Sequence, residues 1–94
     1  MGRKTVRFTK TGISKVPDNK PAVYRILTEG GGNNYTGVAK RGRVQERLHE
    51  HLGEKDHIPG ARVQIEQVGS IAEARRLEAQ IIADGNPKYN KQGT

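Results

Sequence analysis

The chain has 94 residues, of which 32% are hydrophobic, and it carries a formal net charge of +7 without a cysteine. This length suffices for one small domain with a thin core. The lack of cysteine excludes disulfides, thiol catalysis and cysteine-ligated zinc sites. No apolar run is long enough to span a bilayer, and the N-terminal segment does not resemble a signal peptide. The composition therefore predicts a soluble, cytoplasmic protein with no membrane partner.

The positive charge is concentrated near the N-terminus. Residues 1–20 contain six basic residues against one acidic residue, whereas the rest of the chain is nearly balanced. This asymmetry predicts a basic N-terminal arm over residues 1–20, followed by a domain over residues 21–94. It favours a polyanionic partner, above all nucleic acid; the alternative is a solvated terminus with no specific role. Within the arm, Val6 and Phe8 alternate with polar residues, which is typical of an edge strand.

The next predicted element is a β-hairpin. Residues 22–28 are rich in Val, Tyr, Ile and Leu, and both alternating sets are apolar, which predicts a central strand covered on both faces. Three glycines and two asparagines within residues 29–34 favour a turn, and residues 35–38 return as the second strand. The glycine-rich stretch lacks the Lys-Ser/Thr ending of a phosphate-binding P-loop and precedes a strand, so we interpret it as a turn.

A helix is predicted from about residue 43 to residue 52, because apolar residues recur there at every fourth position. Arg47 and His51 are also four residues apart, so they lie one turn apart along one edge of the apolar stripe. His49 points elsewhere on this helix and His57 falls in a loop, and neither is given a catalytic role.

The C-terminal half contains a predicted strand over residues 62–68 and a predicted helix over residues 70–84. Ser70 and Glu73 form a capping-box signature at the start of that helix. Glu78 falls inside the apolar arc of the same helix. Together these elements predict an α/β (α+β) domain in which a small, mainly antiparallel three-stranded sheet is flanked by helices.

Several of these side chains can carry chemistry. A carboxylate at Glu78, on a buried stripe, needs a salt bridge, a metal ion or a boundary position that reaches water. A single carboxylate suits Mg²⁺, which keeps its waters and uses phosphate oxygens of the substrate. Arg47 can clamp a phosphate and His51 can move a proton. The phenols of Tyr24 and Tyr35 can serve as core, stacking surface or proton carrier. Whether the two phenols share a face depends on the hairpin register.

These residues belong to motifs that together resemble the GIY-YIG endonuclease family. Ala22-Val23-Tyr24 and Tyr35-Thr36-Gly37 are separated by ten residues and resemble the family signature. Arg47 to His51 is similar to the family's Arg-Leu-x-x-His helix. Glu73 to Glu78, followed by Pro87 to Asn90, is similar to its Glu-bearing helix and Pro-x-Tyr-Asn tail. The resemblance covers residues 15 to 91, and its first part is similar to the version in the bacterial excision-repair incision subunit.

The resemblance implies a role for each matched position. Tyr24 would be the general base that activates water, or would assist that step, and Tyr35 would orient the water or the phosphate. Arg47 would stabilise charge on the transferring phosphate, and His51 would assist catalysis. Glu78 would hold a single divalent metal ion, Mg²⁺ or Mn²⁺.

Further positions complete the comparison with the family. Asn90 would support the site by hydrogen bonding, and Gly37 would permit close backbone packing. The chain departs from the family pattern at Ala22, which replaces a glycine, and at Thr36, which replaces an aliphatic residue. Because the connection to the first helix is slightly long, Arg43 competes with Arg47 for the arginine role.

The implied function is metal-dependent hydrolysis of phosphodiester bonds in double-stranded or branched DNA, in repair or recombination. Specificity would come from the basic arm, a homodimer or a protein partner. The residues predicted to contact nucleic acid are Arg3, Lys4, Arg7, Lys10, Lys40, Arg41 and Arg43. The alternatives are a catalytically weak nucleic-acid-binding module with the same fold, and a small basic structural protein bound to RNA.

Overall fold

A computed structural model of the chain describes residues 3–53, 57–85 and 87. Four strands and three helices follow one another along the described chain. They are β1 (Arg3–Arg7), α1 (Lys10–Ile13), β2 (Ala22–Leu27), β3 (Asn33–Ala39), α2 (Val44–Leu52), β4 (Arg62–Gln67) and α3 (Ile71–Gly85). The strands form one antiparallel sheet in the order β1-β4-β2-β3.

The predicted hairpin is confirmed, and its first strand is central. β2 pairs with β3 on one side and with β4 on the other. Both Val23 and Tyr24, which point to opposite faces, are completely buried. A register shift follows Ile26, where the hairpin approaches its glycine-rich turn. The sheet therefore needs cover on both faces, as the two apolar sets of this strand predict.

The predicted three-stranded sheet has a fourth strand in the structure. β1 pairs with β4 along its whole length, and Val6 lies opposite Val63. The predicted edge strand is confirmed, so the basic residues of this segment belong to a strand of the sheet. Phe8 and Ile13, which follow it, belong to the buried core. Whether the domain should be counted from residue 21 stays a prediction.

Two apolar clusters cover the two faces of the sheet. On one face, α1 and α2 contribute Ile13, Val44 and Leu48, which pack against side chains of β2 and β4. On the other face, α3 packs mainly on β3 and β2 through a smaller cluster that contains Ala74. The apolar stripe predicted for the first long helix is thus the face that α2 packs against the sheet. Within the described residues, no helix has the length and apolar character needed to cross a membrane.

The N-terminal ends of the two long helices are capped by side chains. The Asp18 carboxylate accepts a hydrogen bond from the Val44 backbone N–H at 2.8 Å, so a preceding loop caps α2. At the start of α3, the Ser70 hydroxyl accepts from the Glu73 N–H at 3.2 Å, and the Glu73 carboxylate accepts from the Gly69 N–H at 3.3 Å. These caps set where α2 and α3 begin, and therefore where their polar side chains meet the sheet.

Candidate active site

The two hairpin tyrosines lie on the same face of the sheet, next to α2. Tyr24 is paired with Gly37 across the hairpin, and Tyr35 is paired with Ile26. The two phenol rings lie 6.1 Å apart between centroids. A Cβ atom at residue 37 would lie 2.5 Å from the Tyr24 hydroxyl oxygen. Glycine at this position therefore makes room for both rings.

His51 joins the two tyrosines. Its side chain is completely buried, and its Nε2 lies 2.9 Å from the Tyr24 hydroxyl oxygen. Its ring centroid lies 4.7 Å from that of Tyr35 and 5.6 Å from that of Tyr24. Its backbone oxygen also accepts a hydrogen bond from the Ile58 N–H at 2.9 Å. The imidazole thus lies deeper than the stripe edge that the helical spacing predicts, because a phenol hydroxyl satisfies its buried nitrogen.

Arg47 is the arginine that reaches this cluster. Its guanidinium donates a hydrogen bond to the Tyr24 hydroxyl oxygen and forms an ion pair with Glu50. Arg43, the competing candidate, precedes α2, is exposed and pairs with Glu46 at 2.8 Å. Because a guanidinium can only donate, it occupies a lone pair of the phenol oxygen. The same hydroxyl forms a second hydrogen bond with His51 Nε2, in which the donor is set by the imidazole tautomer.

Burial decides the ionisation of Tyr24. Desolvation raises the pKa of this phenol, and the neighbouring Tyr35 raises it further. Arg47 lowers the same pKa through its charge and its hydrogen bond, while Glu78 raises it, and burial outweighs the arginine. Tyr24 therefore stays protonated near neutral pH. This is the opposite of the lowered pKa that an independent phenolate base would need.

Glu78 lies on α3, which packs on the face of the sheet opposite to α2. Its side chain is half-buried, and desolvation raises the pKa of its carboxyl, an effect that the nearby Arg75 opposes. Its negative charge acts on the Tyr24 phenol. Among the salt bridges between described residues, none involves Glu78. Its partial exposure is that of a boundary position, and whether Glu78 binds a metal ion stays a prediction.

A cationic groove crosses the outer edge of β3 between α2 and α3. Its volume is about 300 Å³, and none of the described residues that line it is acidic. The lining residues are Val38, Ala39, Lys40, Arg43, Arg47, Ile71 and Arg75. Arg75 was not among the predicted site residues. The available signal was its position three residues before Glu78, which places both side chains on one side of α3.

The other predicted nucleic-acid contacts are distributed over the surface. Lys4 and Arg7 line a second groove beside β1, at the opposite edge of the sheet. Arg3 pairs with Glu66 at 3.2 Å. Lys10 and Arg41 are exposed and line neither groove. Of the predicted nucleic-acid contacts, two therefore line each groove and the other three line neither.

Two other predictions concern residues near the site. Thr36, which departs from the family pattern, is completely buried, and its hydroxyl oxygen accepts a hydrogen bond from the Asn33 amide at 2.7 Å. The hydrogen bond satisfies the buried Thr36 hydroxyl, a polar group that the aliphatic residue of the family pattern does not have. Asn90 lies outside the described residues. Within the described residues, no group of three or more acidic, histidine or cysteine side chains is placed to hold a metal ion.

Comparison with solved structures finds the GIY-YIG N-terminal endonuclease domain of UvrC from Thermotoga maritima, bound to its catalytic divalent cation, magnesium. The TM-score is 0.68 at 27% sequence identity, over 87% of this chain and 94% of that one. Point mutants of that domain are equally similar, with TM-scores of 0.68. One, with a tyrosine-to-phenylalanine change, is 26% identical, and another, with an asparagine-to-alanine change, is 27% identical. Each match covers 88% of this chain and 94% of the mutant domain. No protein-family model and no curated protein matches this chain. The resemblance predicted from the motifs is confirmed by the fold.

Proposed function

We propose that this chain, which has the fold of the GIY-YIG endonuclease domains, hydrolyses phosphodiester bonds in DNA with the help of one divalent cation. One observation carries the proposal. Two phenols, an imidazole and a guanidinium meet at one site, and the charge of the half-buried Glu78 carboxylate on α3 acts on the Tyr24 phenol. The similarity to a magnesium-bound endonuclease domain supports the same conclusion.

The groove beside β3 is suited to binding the DNA backbone. Lys40, Arg43 and Arg75 supply exposed cations along it, and the half-buried Arg47 joins it to the cluster of tyrosines. Phosphate contacts of this type supply affinity without reading sequence. In this proposal the exposed cations hold the backbone, and Arg47 neutralises charge that develops on the phosphate under attack.

The residues present fit a magnesium ion at Glu78. A carboxylate oxygen is the ligand type that Mg²⁺ prefers, and Mg²⁺ is commonly held by one or two carboxylates together with water and phosphate oxygens. The raised pKa of Glu78 reflects a desolvated charge that a cation would stabilise. When bound, the metal ion supplies Lewis-acid stabilisation of the phosphate. Asn90 remains the proposed supporting residue.

The remaining side chains orient water and handle its proton. Tyr35 is half-buried whereas Tyr24 is completely buried, so Tyr35 is assigned to the contact with water or phosphate. Of the two roles open to Tyr24, burial and the raised pKa favour the assisting one. Its hydroxyl holds Arg47 in place and connects the site to His51 Nε2, whose lone pair can accept a proton.

The test is cleavage of supercoiled plasmid and of branched DNA, each with Mg²⁺ and with chelator. Wild type is expected to nick DNA only with the metal. Glu78→Ala is expected to lose at least about 100-fold in rate, comparable to the loss of a main electrostatic group in other enzymes, while its thermal unfolding stays cooperative. Asp84→Ala is the matched control, because Asp84 is an exposed carboxylate on the same helix. Undiminished nicking by Glu78→Ala would remove this carboxylate from the mechanism.

The second candidate function is DNA binding without efficient cleavage. The observation that favours it is the complete burial of Tyr24, which leaves this phenol no surface with which to touch a substrate. Salt-dependent binding with no cleavage under Mg²⁺ or Mn²⁺ would support this alternative over hydrolysis.

A further inference from the structure

The second cationic groove lies at the edge of the sheet farthest from the candidate active site. Its volume is about 380 Å³, and its lining, as far as the structure describes the chain, contains no carboxylate. The lining residues are Lys4, Thr5, Val6, Arg7, Thr9, Thr11, Gly12 and Lys15. We propose that this β1 groove binds the backbone of a second DNA segment, separate from the segment in the groove beside β3. The inference rests on the proposed function.

The shape of the β1 groove is fixed by tight local packing. A Cβ atom at Gly12 would lie 2.0 Å from the Arg7 backbone oxygen, so α1 packs directly against the end of β1. The Thr9 hydroxyl accepts a hydrogen bond from the Gly12 N–H at 3.0 Å and caps α1. Phe8 and Ile13 anchor both elements in the core. The cations of this groove therefore project from a packed surface.

The charges of the β1 groove are available to a partner. Lys4, Arg7 and Lys15 are exposed, and among the described residues none of the three forms a salt bridge, whereas the neighbouring Arg3 is paired with Glu66. β1 pairs with β4 alone, so the backbone groups on its outer edge are not used by the sheet. Cations, hydroxyls and backbone N–H groups are the donors that proteins use on phosphates.

Geometry separates the two grooves. β1 and β3 are the opposite edges of a four-stranded sheet, so about 14 Å of sheet lies between them at the usual strand spacing. The whole molecule measures 28 × 28 × 24 Å. A straight duplex lying along the groove beside β3 would leave the β1 groove on the far side. The β1 groove therefore suits an arm of branched or sharply bent DNA.

The experiment compares the affinity for two DNA probes in chelator, where no cleavage occurs. One probe is a linear duplex of about 12 base pairs, and the other is a three-way junction with arms of the same sequence. Wild type is expected to prefer the junction at least tenfold. The triple variant Lys4→Ala, Arg7→Ala and Lys15→Ala is expected to lose that preference while its affinity for the linear duplex changes less than twofold. In a plot of the logarithm of the junction-binding constant against the logarithm of the salt concentration, the slope should become shallower by about three in this variant if each cation contacts one phosphate.

A charge-matched control separates this site from a general effect of charge. It replaces Lys20, Arg62 and Arg76, exposed cations outside both grooves, with alanine. Equal losses in the two triple variants, equal losses on the two probes, or no junction preference in wild type would overturn the inference. So would a triple variant that associates with itself but binds the junction normally, because the charges would then only protect a sheet edge. If the junction preference depends on the β1 groove but no DNA is cut with Mg²⁺, hydrolysis fails and this inference stands.

Discussion

Replacing Gly37 with alanine tests whether the packing of the hairpin sets the geometry of the site. The new Cβ would lie 2.5 Å from the Tyr24 hydroxyl oxygen, 2.6 Å from its Cζ and 3.0 Å from Cε2 of Tyr35. Ordinary contacts of this kind are 3.4–4 Å. The Tyr24 ring must therefore move by about 1 Å, or the hairpin must open, because packed interiors do not absorb extra atoms freely.

The expected cost can be stated for both stability and rate. Overpacking by one methyl group costs about 1–3 kcal/mol, which for a domain of this size lowers the melting temperature by about 4–8 °C per kcal/mol. A displacement of about 1 Å among catalytic groups can reduce a rate about 100-fold. The bonds from Tyr24 to Arg47 and His51 would lengthen together, since one hydroxyl makes both.

The assay combines thermal unfolding followed by circular dichroism with Mg²⁺-dependent nicking of plasmid at a temperature where the variant is folded. Gly85→Ala is the matched control, because a Cβ there meets no atom of a described residue within 4 Å, and it should change neither quantity appreciably. If Gly37→Ala melts and nicks like wild type, the close approach of residue 37 to the two phenols does not organise the site.

Two further predictions concern Tyr24 and Glu78. Tyr24→Phe removes the hydrogen bonds that the buried Tyr24 hydroxyl makes with His51 and Arg47, and should cost about 1–3 kcal/mol in urea unfolding. Tyr35→Phe, at a half-buried phenol, should cost about 0.5 kcal/mol or less; equal losses would contradict the buried hydrogen bond. Because burial raises the pKa of Glu78 above its ordinary value of 4.5, ionisation costs folding energy as pH rises through that range, so Glu78→Gln should gain melting temperature relative to wild type between pH 4 and pH 7. Mg²⁺ at pH 7 should stabilise wild type alone, and equal stabilisation of both proteins would rule out a metal site at Glu78.

The long elements follow from the sequence because each carries a strong local pattern. Four-residue spacing predicts α2 to within a residue, and the two apolar sets of β2 predict a strand covered on both faces. The start of α3 follows from Ser70 and Glu73, whose side chains satisfy N–H groups that any helix leaves unpaired. These are effects of neighbouring residues, which a sequence displays directly.

The contacts between elements do not follow in the same way. The sequence does not fix the hairpin register, so it left open whether Tyr24 and Tyr35 share a face, and it did not predict that Tyr24 contacts His51. α1 has only four residues and too little periodicity to be recognised. Because α1 packs against β1, basic residues that were predicted to form an arm line a groove instead. Arg75 was missed because it lines the groove beside β3 only as a result of where α3 packs on the sheet, which the sequence does not show.

In a domain this small, the site and the core share residues. Tyr24 is the largest of the completely buried side chains, and His51 is among them. With so few large side chains in the core, each of the two contributes to stability as well as to the site. Their hydrogen bond satisfies polar atoms that would otherwise be costly to bury. Lost activity in variants of these two residues is therefore evidence for a catalytic role only where the unfolding free energy, measured on the same variant, shows that the fold has been kept.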